Sequence, residues 1–194
     1  MKDFVCNEFG PIDIHKVEEV AEPELLDSQV LIDVKAAGVS FAEVLIVQGL
    51  YQFKPELPFA PGKEGAGIIT KIGKNVTRFK EGDRVYFMDP YGAFAEEACM
   101  NEFGVVPISD KVSFELASHY QRAYGTSYHA LIQRGNLKKD DEVLILGASG
   151  GVGLAALDIA KAKGARVVAG VSTEEKAKIC REYGADDVVI YGNG

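Results

Sequence analysis

Apolar and polar residues follow two different patterns along this chain. In the C-terminal part, Val143–Leu146 is an apolar run too short for a helix. It enters Gly147-Ala148-Ser149-Gly150-Gly151-Val152-Gly153, and a helical pattern, Leu154–Lys161, leaves that cluster. Gly164 stands where a glycine ends a helix. Ala165–Ser172 reads as a second buried strand. Thr173–Tyr183 reads as a helix, with Ser172 or Thr173 as its cap, Glu174 and Glu175 in its first turn and Gly184 as its stop. Asp187–Tyr191 reads as a third strand. Strand, helix, strand, helix, strand in so few residues predicts right-handed crossovers and a parallel sheet.

The N-terminal part is strand-rich. Gln29–Val39 alternates and ends near Gly38, Ala66–Gly73 is another strand reaching a turn, and Arg84–Phe87 and Ala93–Cys99 read as two more. Turn signals recur at Gly10-Pro11, Pro61-Gly62, Gly73-Lys74-Asn75, Glu81-Gly82-Asp83 and Tyr91-Gly92. Many short strands punctuated this way predict a compact β-barrel. Phe41–Gln48 is the one obvious short helix before residue 112. Val112–Gln133 reads as helical but broken near Gly125, linking barrel and sheet. The expected division is 1–120 and 121–194.

Composition narrows the class. With 194 residues, 47% hydrophobic and 26% charged, the chain can bury a normal core. A net charge of −8 argues against a general nucleic-acid binder. No apolar run approaches membrane-spanning length, and the N-terminus lacks the apolar core of a signal peptide. Three separated cysteines, Cys6, Cys99 and Cys180, suit a reducing, cytoplasmic setting.

The glycine cluster carries the first chemistry. Lacking Cβ, glycine lets the backbone approach a pyrophosphate, and the unpaired N–H groups opening a helix favour an anion. The run departs from the usual G-x-G-x-x-G at Ala148. Such a turn can also serve only to pack a helix on a sheet. An acid at the end of the second strand would hold a ribose 2′-hydroxyl. This chain has Val171-Ser172-Thr173 there, no acid before Glu174, and Lys176 one turn further on. Hydroxyls, helix N–H groups and an ammonium suit a 2′-phosphate, so NADPH is favoured over NADH. The alternatives are that Ser172 is only a cap and Lys176 only a solvated helix residue.

Several separated motifs resemble the medium-chain dehydrogenase/reductase superfamily: Pro58–Gly67, Ile72–Val76, Glu81–Val85 and Gly92–Glu96. Within it, Gly38–Glu43, Gln48–Tyr51, Tyr124–Leu131 and Gly147–Gly153 look like the zinc-independent quinone oxidoreductase family. The resemblance covers nearly the whole chain. It implies a GroES-like β-barrel followed by a Rossmann domain, of which the first half is present, so a truncated chain is expected.

The resemblance implies NADPH-dependent hydride transfer to quinones or other conjugated carbonyls. Alternatives are an enoyl-thioester reductase of the same superfamily, a non-catalytic NADPH-binding relative or an inactive fragment. It implies Tyr51 and Ser40 as the catalytic pair, Tyr51 stacking on a flat substrate or donating a hydrogen bond. Relatives often carry Asn where Ser40 stands, which leaves its role open. For the cofactor the expected residues are Thr126, Ser149, Gly150, Gly151, Val152, Gly153, Ser172, Thr173, Lys176 and Tyr191. Zinc-using relatives place Cys where this chain has Ser40 and His where it has Lys63. A hydroxyl and an ammonium are poor ligands, so no metal is expected. The expected partners are a small-molecule quinone or enone and a second copy in a homodimer, with no nucleic acid or membrane.

Overall fold

The computed structural model describes residues 1–192; Asn193 and Gly194, the last residues of the expected second domain, lie outside them. The chain forms two compact units, Met1–His119 and a second beginning at Tyr120.

The first unit opens with an antiparallel hairpin, β1 (Lys2–Val5) and β2 (Lys16–Glu19), which the sequence pattern did not signal. The main sheet is antiparallel, built from β3 (Gln29–Ala37), β4 (Glu64–Ile72), β5 (Arg84–Met88), β6 (Glu97–Asn101) and β7 (Val105–Pro107) in the order β6-β3-β4-β5-β7. Register shifts between β3 and β4, at Leu31/Ile32 and Val34/Ala36, mark bulges of the kind that bend a sheet. The expected strand over Ala93–Cys99 begins later, at Glu97, and runs to Asn101. Residues 93–96 instead pair irregularly, with Phe94 accepting from the Phe4 N–H and donating to the Pro61 carbonyl.

The alternation read over β3 is also incomplete. Val30, Leu31 and Ile32 are buried in succession, because β3 is paired on both edges and covered at this point on both faces. Val30, Ile32, Ile69, Val85, Phe87 and Met100 form the core of the sheet. A smaller cluster of Cys6, Ile46, Val47 and Phe59 seats α1 (Phe41–Val47) beside it. Helix α1 starts in a capping box: Ser40 accepts from the Ala42 N–H, and Glu43 accepts from the Ser40 N–H at 2.8 Å. Helix α2 (Phe114–Tyr120) follows β7.

The second unit begins with helical turns that correct the expected break at Gly125. Gly125 keeps helical angles (φ −62°, ψ −44°), and the backbone winds through α3 (Thr126–Tyr128) between two π-helical stretches, Gln121–Gly125 and His129–Arg134. The irregularity is a wider turn rather than a stop.

Then follow β8 (Glu142–Leu146), α4 (Gly151–Ala162), β9 (Arg166–Val171), α5 (Glu174–Glu182) and β10 (Asp187–Ile190). The three strands are parallel in the order β10-β9-β8. This is the arrangement of the first half of a Rossmann domain. Gly147, Gly164 and Gly184 all take positive φ (63°, 82° and 93°), so the three chain reversals sit where only glycine is unstrained. Leu157, Ala160, Val167, Ala169, Val171 and Ala177 pack both helices on the sheet. Arg166 pairs with Glu142 on β8 and Asp187 on β10, tying the entrances of all three strands together.

Candidate functional site

The glycine turn has the geometry an anion cradle needs. Gly150 caps α4 without any side-chain cap, so no side chain claims the first-turn N–H groups. A Cβ on Gly151 would meet nothing within 4 Å, so the space above the helix start is open. Gly153 is different: its Cβ would fall 2.5 Å from the Gly147 carbonyl oxygen and 2.7 Å from Ala148 Cα. It is the close-packing glycine, and Ala148, wholly buried against it, fills the position of the usual first glycine. The Ala148 N–H donates to the Gly170 carbonyl on β9 at 3.1 Å, fixing the turn to the sheet. The Ser149 side chain makes no hydrogen bond among the described residues, and Val152 is exposed.

Ser127 was missed by the sequence reading. It is buried, and its hydroxyl donates to the Val152 carbonyl at 2.9 Å. It therefore pins α3 to the first turn of α4. Thr126, the expected residue, is its exposed neighbour. The signal available was only the pair of adjacent hydroxyls, which does not say which one turns inward.

At the end of β9, Thr173 caps α5, its side-chain oxygen accepting from the Lys176 N–H. Lys176 Nζ donates to Ser172 Oγ at 2.9 Å. Glu174, the first acid, is drawn along the helix to Arg181 at 2.5 Å. Tyr191 follows β10; its N–H donates to the Val171 carbonyl, and its ring edge lies 3.3 Å from where a Gly170 Cβ would stand. The Gly147–Gly153 turn, Ser172, Lys176 and Tyr191 thus gather at the carboxyl end of one parallel sheet, where such sheets bind ligands.

Tyr51 and Ser40 belong to the first unit. Ser40 Oγ lies 2.6 Å from Glu43 Oε2 and donates to it while accepting from Ala42. Glu43 is buried. Tyr51 packs against the Cys6–Phe59 cluster, and the Lys63 ammonium sits 4.1 Å from its ring centroid. The Tyr51 phenol makes no hydrogen bond among the described residues. Neither candidate zinc position, Ser40 or Lys63, offers a good ligand. The Ser40 hydrogen is engaged by a carboxylate, the Lys63 ammonium has no lone pair, and among the described residues no three His, Cys, Asp or Glu side chains converge. A zinc does not fit this donor set.

Other ionisable groups serve structure. Hydrogen bonds from Lys161 and the Val167 N–H hold the Asp186 carboxyl below the usual aspartate range. Burial pushes the Cys6, Cys99 and Cys180 thiols up, which makes them poor nucleophiles. No helix among the described residues is long and apolar enough to cross a membrane.

Two family models match: the alcohol dehydrogenase GroES-like domain over residues 26–110 and the zinc-binding dehydrogenase family over residues 151–193. A quinone oxidoreductase of Homo sapiens is 40% identical over 183 residues, covering 93% of this chain and 56% of that protein. An Escherichia coli quinone oxidoreductase solved with NADPH superposes with a TM-score of 0.93 at 30% identity, over 98% of this chain and 59% of that one. A probable oxidoreductase from Mycobacterium abscessus gives 0.92 at 34% identity, over 100% and 62%. The chain spans a little over half the length of the curated relatives it matches. With a GroES-like unit ahead of the β8–β10 nucleotide fold, and both family models matching in that order, the chain belongs to the medium-chain dehydrogenase/reductase superfamily and is similar in sequence to its quinone oxidoreductases.

Proposed function

We propose that this chain supplies the barrel and the first mononucleotide half of an NADPH-dependent reductase of quinones or other conjugated carbonyls. The observation that carries the cofactor choice is the Ser172–Lys176 pair at 2.9 Å. A hydroxyl and an ammonium stand where a carboxylate would repel a 2′-phosphate. The open N-terminus of α4 suits the pyrophosphate. NADPH in the E. coli relative supports the same reading.

When bound, the cofactor supplies hydride. The chain's part is to position the acceptor and stabilise the oxygen that gains charge. Tyr51, whose phenol is uncommitted among the described residues, is the donor to that oxygen. Ser40 takes a different role. Its hydrogen already goes to Glu43, so it orders the start of α1 and does not donate to the acceptor.

The test is paired titration with NADPH and NADH by fluorescence, followed by quinone reduction. NADPH binding at least tenfold more tightly supports the proposal. NADH binding as well or better overturns it.

A further inference from the structure

Of the two candidate zinc positions, Ser40 is committed to Glu43, and the Lys63 side chain is turned to an aromatic ring. Its backbone is clamped: Gly62 before it has φ +89°, with the Phe94 ring 2.5 Å from where a Cβ would stand, and the Lys63 carbonyl accepts from the Asp89 N–H at 2.9 Å. The side chain then crosses to the face of Tyr51, twelve residues earlier in the sequence. Its ammonium has no carboxylate within 4.0 Å among the described residues. Asp89, its neighbour through the backbone, is pushed up by burial alone and is not pulled down by Lys63. The positive charge is therefore not neutralised locally, in a chain whose net charge is −8.

The Tyr51 ring belongs to an aromatic surface. It packs against the cluster that contains Phe59, Phe59 meets the edge of Tyr91 at 5.8 Å, and Tyr91 stacks on Phe53 at 6.4 Å and 16°. Phe53 and Tyr91 remain 42% exposed. A flat ring that carries an ammonium without a carboxylate partner, set in a partly exposed aromatic surface, matches a planar ligand with a negative substituent.

We infer that Lys63 is a specificity-determining residue that makes this site favour planar acceptors bearing a carboxylate, sulfonate or similar anionic group over neutral ones. This rests on Tyr51 being the acceptor-side residue of the proposed reductase. The cation–π contact holds Lys63 at the ring, and the residual charge attracts the anion. Both effects need an ammonium or guanidinium at this position, and neither needs a cofactor.

The experiment measures equilibrium binding of naphthalene-2-sulfonate and the neutral 2-naphthylmethanol to the purified chain at low and high salt. The sulfonate is expected to bind about fivefold more tightly at low salt, a preference that shrinks as salt rises. Lys63→Met removes the preference and leaves the neutral probe within about twofold; Lys63→Arg keeps it. Lys111→Met, an equal charge change at an exposed position, leaves both probes unaltered. If Lys63→Met does not fold, the salt dependence and Lys63→Arg still decide. A salt-insensitive preference, no preference at all, or equal loss of both probes in Lys63→Met overturns the inference. NADPH is titrated in the same samples. NADPH binding without anion preference sinks this inference alone, whereas anion preference without NADPH binding sinks the reductase reading and leaves the Lys63 selectivity standing.

Discussion

Replacing Lys176 by Met separates the proposed 2′-phosphate site from an ordinary solvated helix residue. Lys176 is exposed, and its ammonium is already oriented by Ser172 at 2.9 Å. A 2′-phosphate carries close to two negative charges at neutral pH. At about 4 Å in high dielectric each unit charge pair contributes about 1 kcal/mol, so the pair is worth about 2 kcal/mol before screening. That is roughly thirtyfold in affinity, falling toward about tenfold at physiological salt. NADH lacks the phosphate and should bind the variant and the parent within about twofold. The assay is equilibrium titration of both cofactors by nicotinamide fluorescence at two ionic strengths. Unchanged NADPH affinity, or a parallel loss for NADH, refutes the assignment and returns Lys176 to a structural role.

Gly153→Val should cost upwards of about 2 kcal/mol and weaken both cofactors, because its Cβ would lie 2.5 Å from the Gly147 carbonyl oxygen; a melt that barely moves contradicts the tight turn. Ser127→Ala removes a buried hydrogen bond to Val152 and should cost about 1 kcal/mol in urea unfolding, with wild-type-like values indicating that α3 is held otherwise. Asp186 is depressed by Lys161 and the Val167 N–H, so its contribution is present above the unfolded aspartate value near 3.8 and is lost as pH falls through the lower folded value. Asp186→Asn should flatten the acid limb of a stability–pH profile, and an unchanged limb counts against the linkage.

Much of the second unit was legible because its signals are local. Glycines at positive φ end β8, α4 and α5, and the hydroxyl-then-acid pattern at Thr173-Glu174-Glu175 opens α5. The Ser172–Lys176 contact is a one-turn spacing that the sequence itself displays. The β1–β2 hairpin was not legible. Its strands are short and its outer positions exposed, so it has no strong alternation, and its pairing with residues 94–96 spans some ninety positions. The helical run over Val112–Gln133 is expected to break near Gly125, since glycine is a poor helix former. The structure keeps Gly125 helical and takes up the irregularity in π turns.

What the sequence alone determined is the order of elements in the second unit, the superfamily resemblance and the residue types at the glycine turn. These depend on periodicity, on backbone angles only glycine accepts and on contacts within one turn. What only the tertiary structure decided is how individual side chains are committed. Ser127 rather than Thr126 turns inward, Ser40 spends its hydrogen on Glu43, and the Lys63 ammonium lies over the Tyr51 ring. Two of these contacts join different elements, while the Ser40–Glu43 bond is a local capping contact whose carboxylate lies buried. Such choices are set by which groups burial leaves without solvent, and residue type or spacing does not encode that.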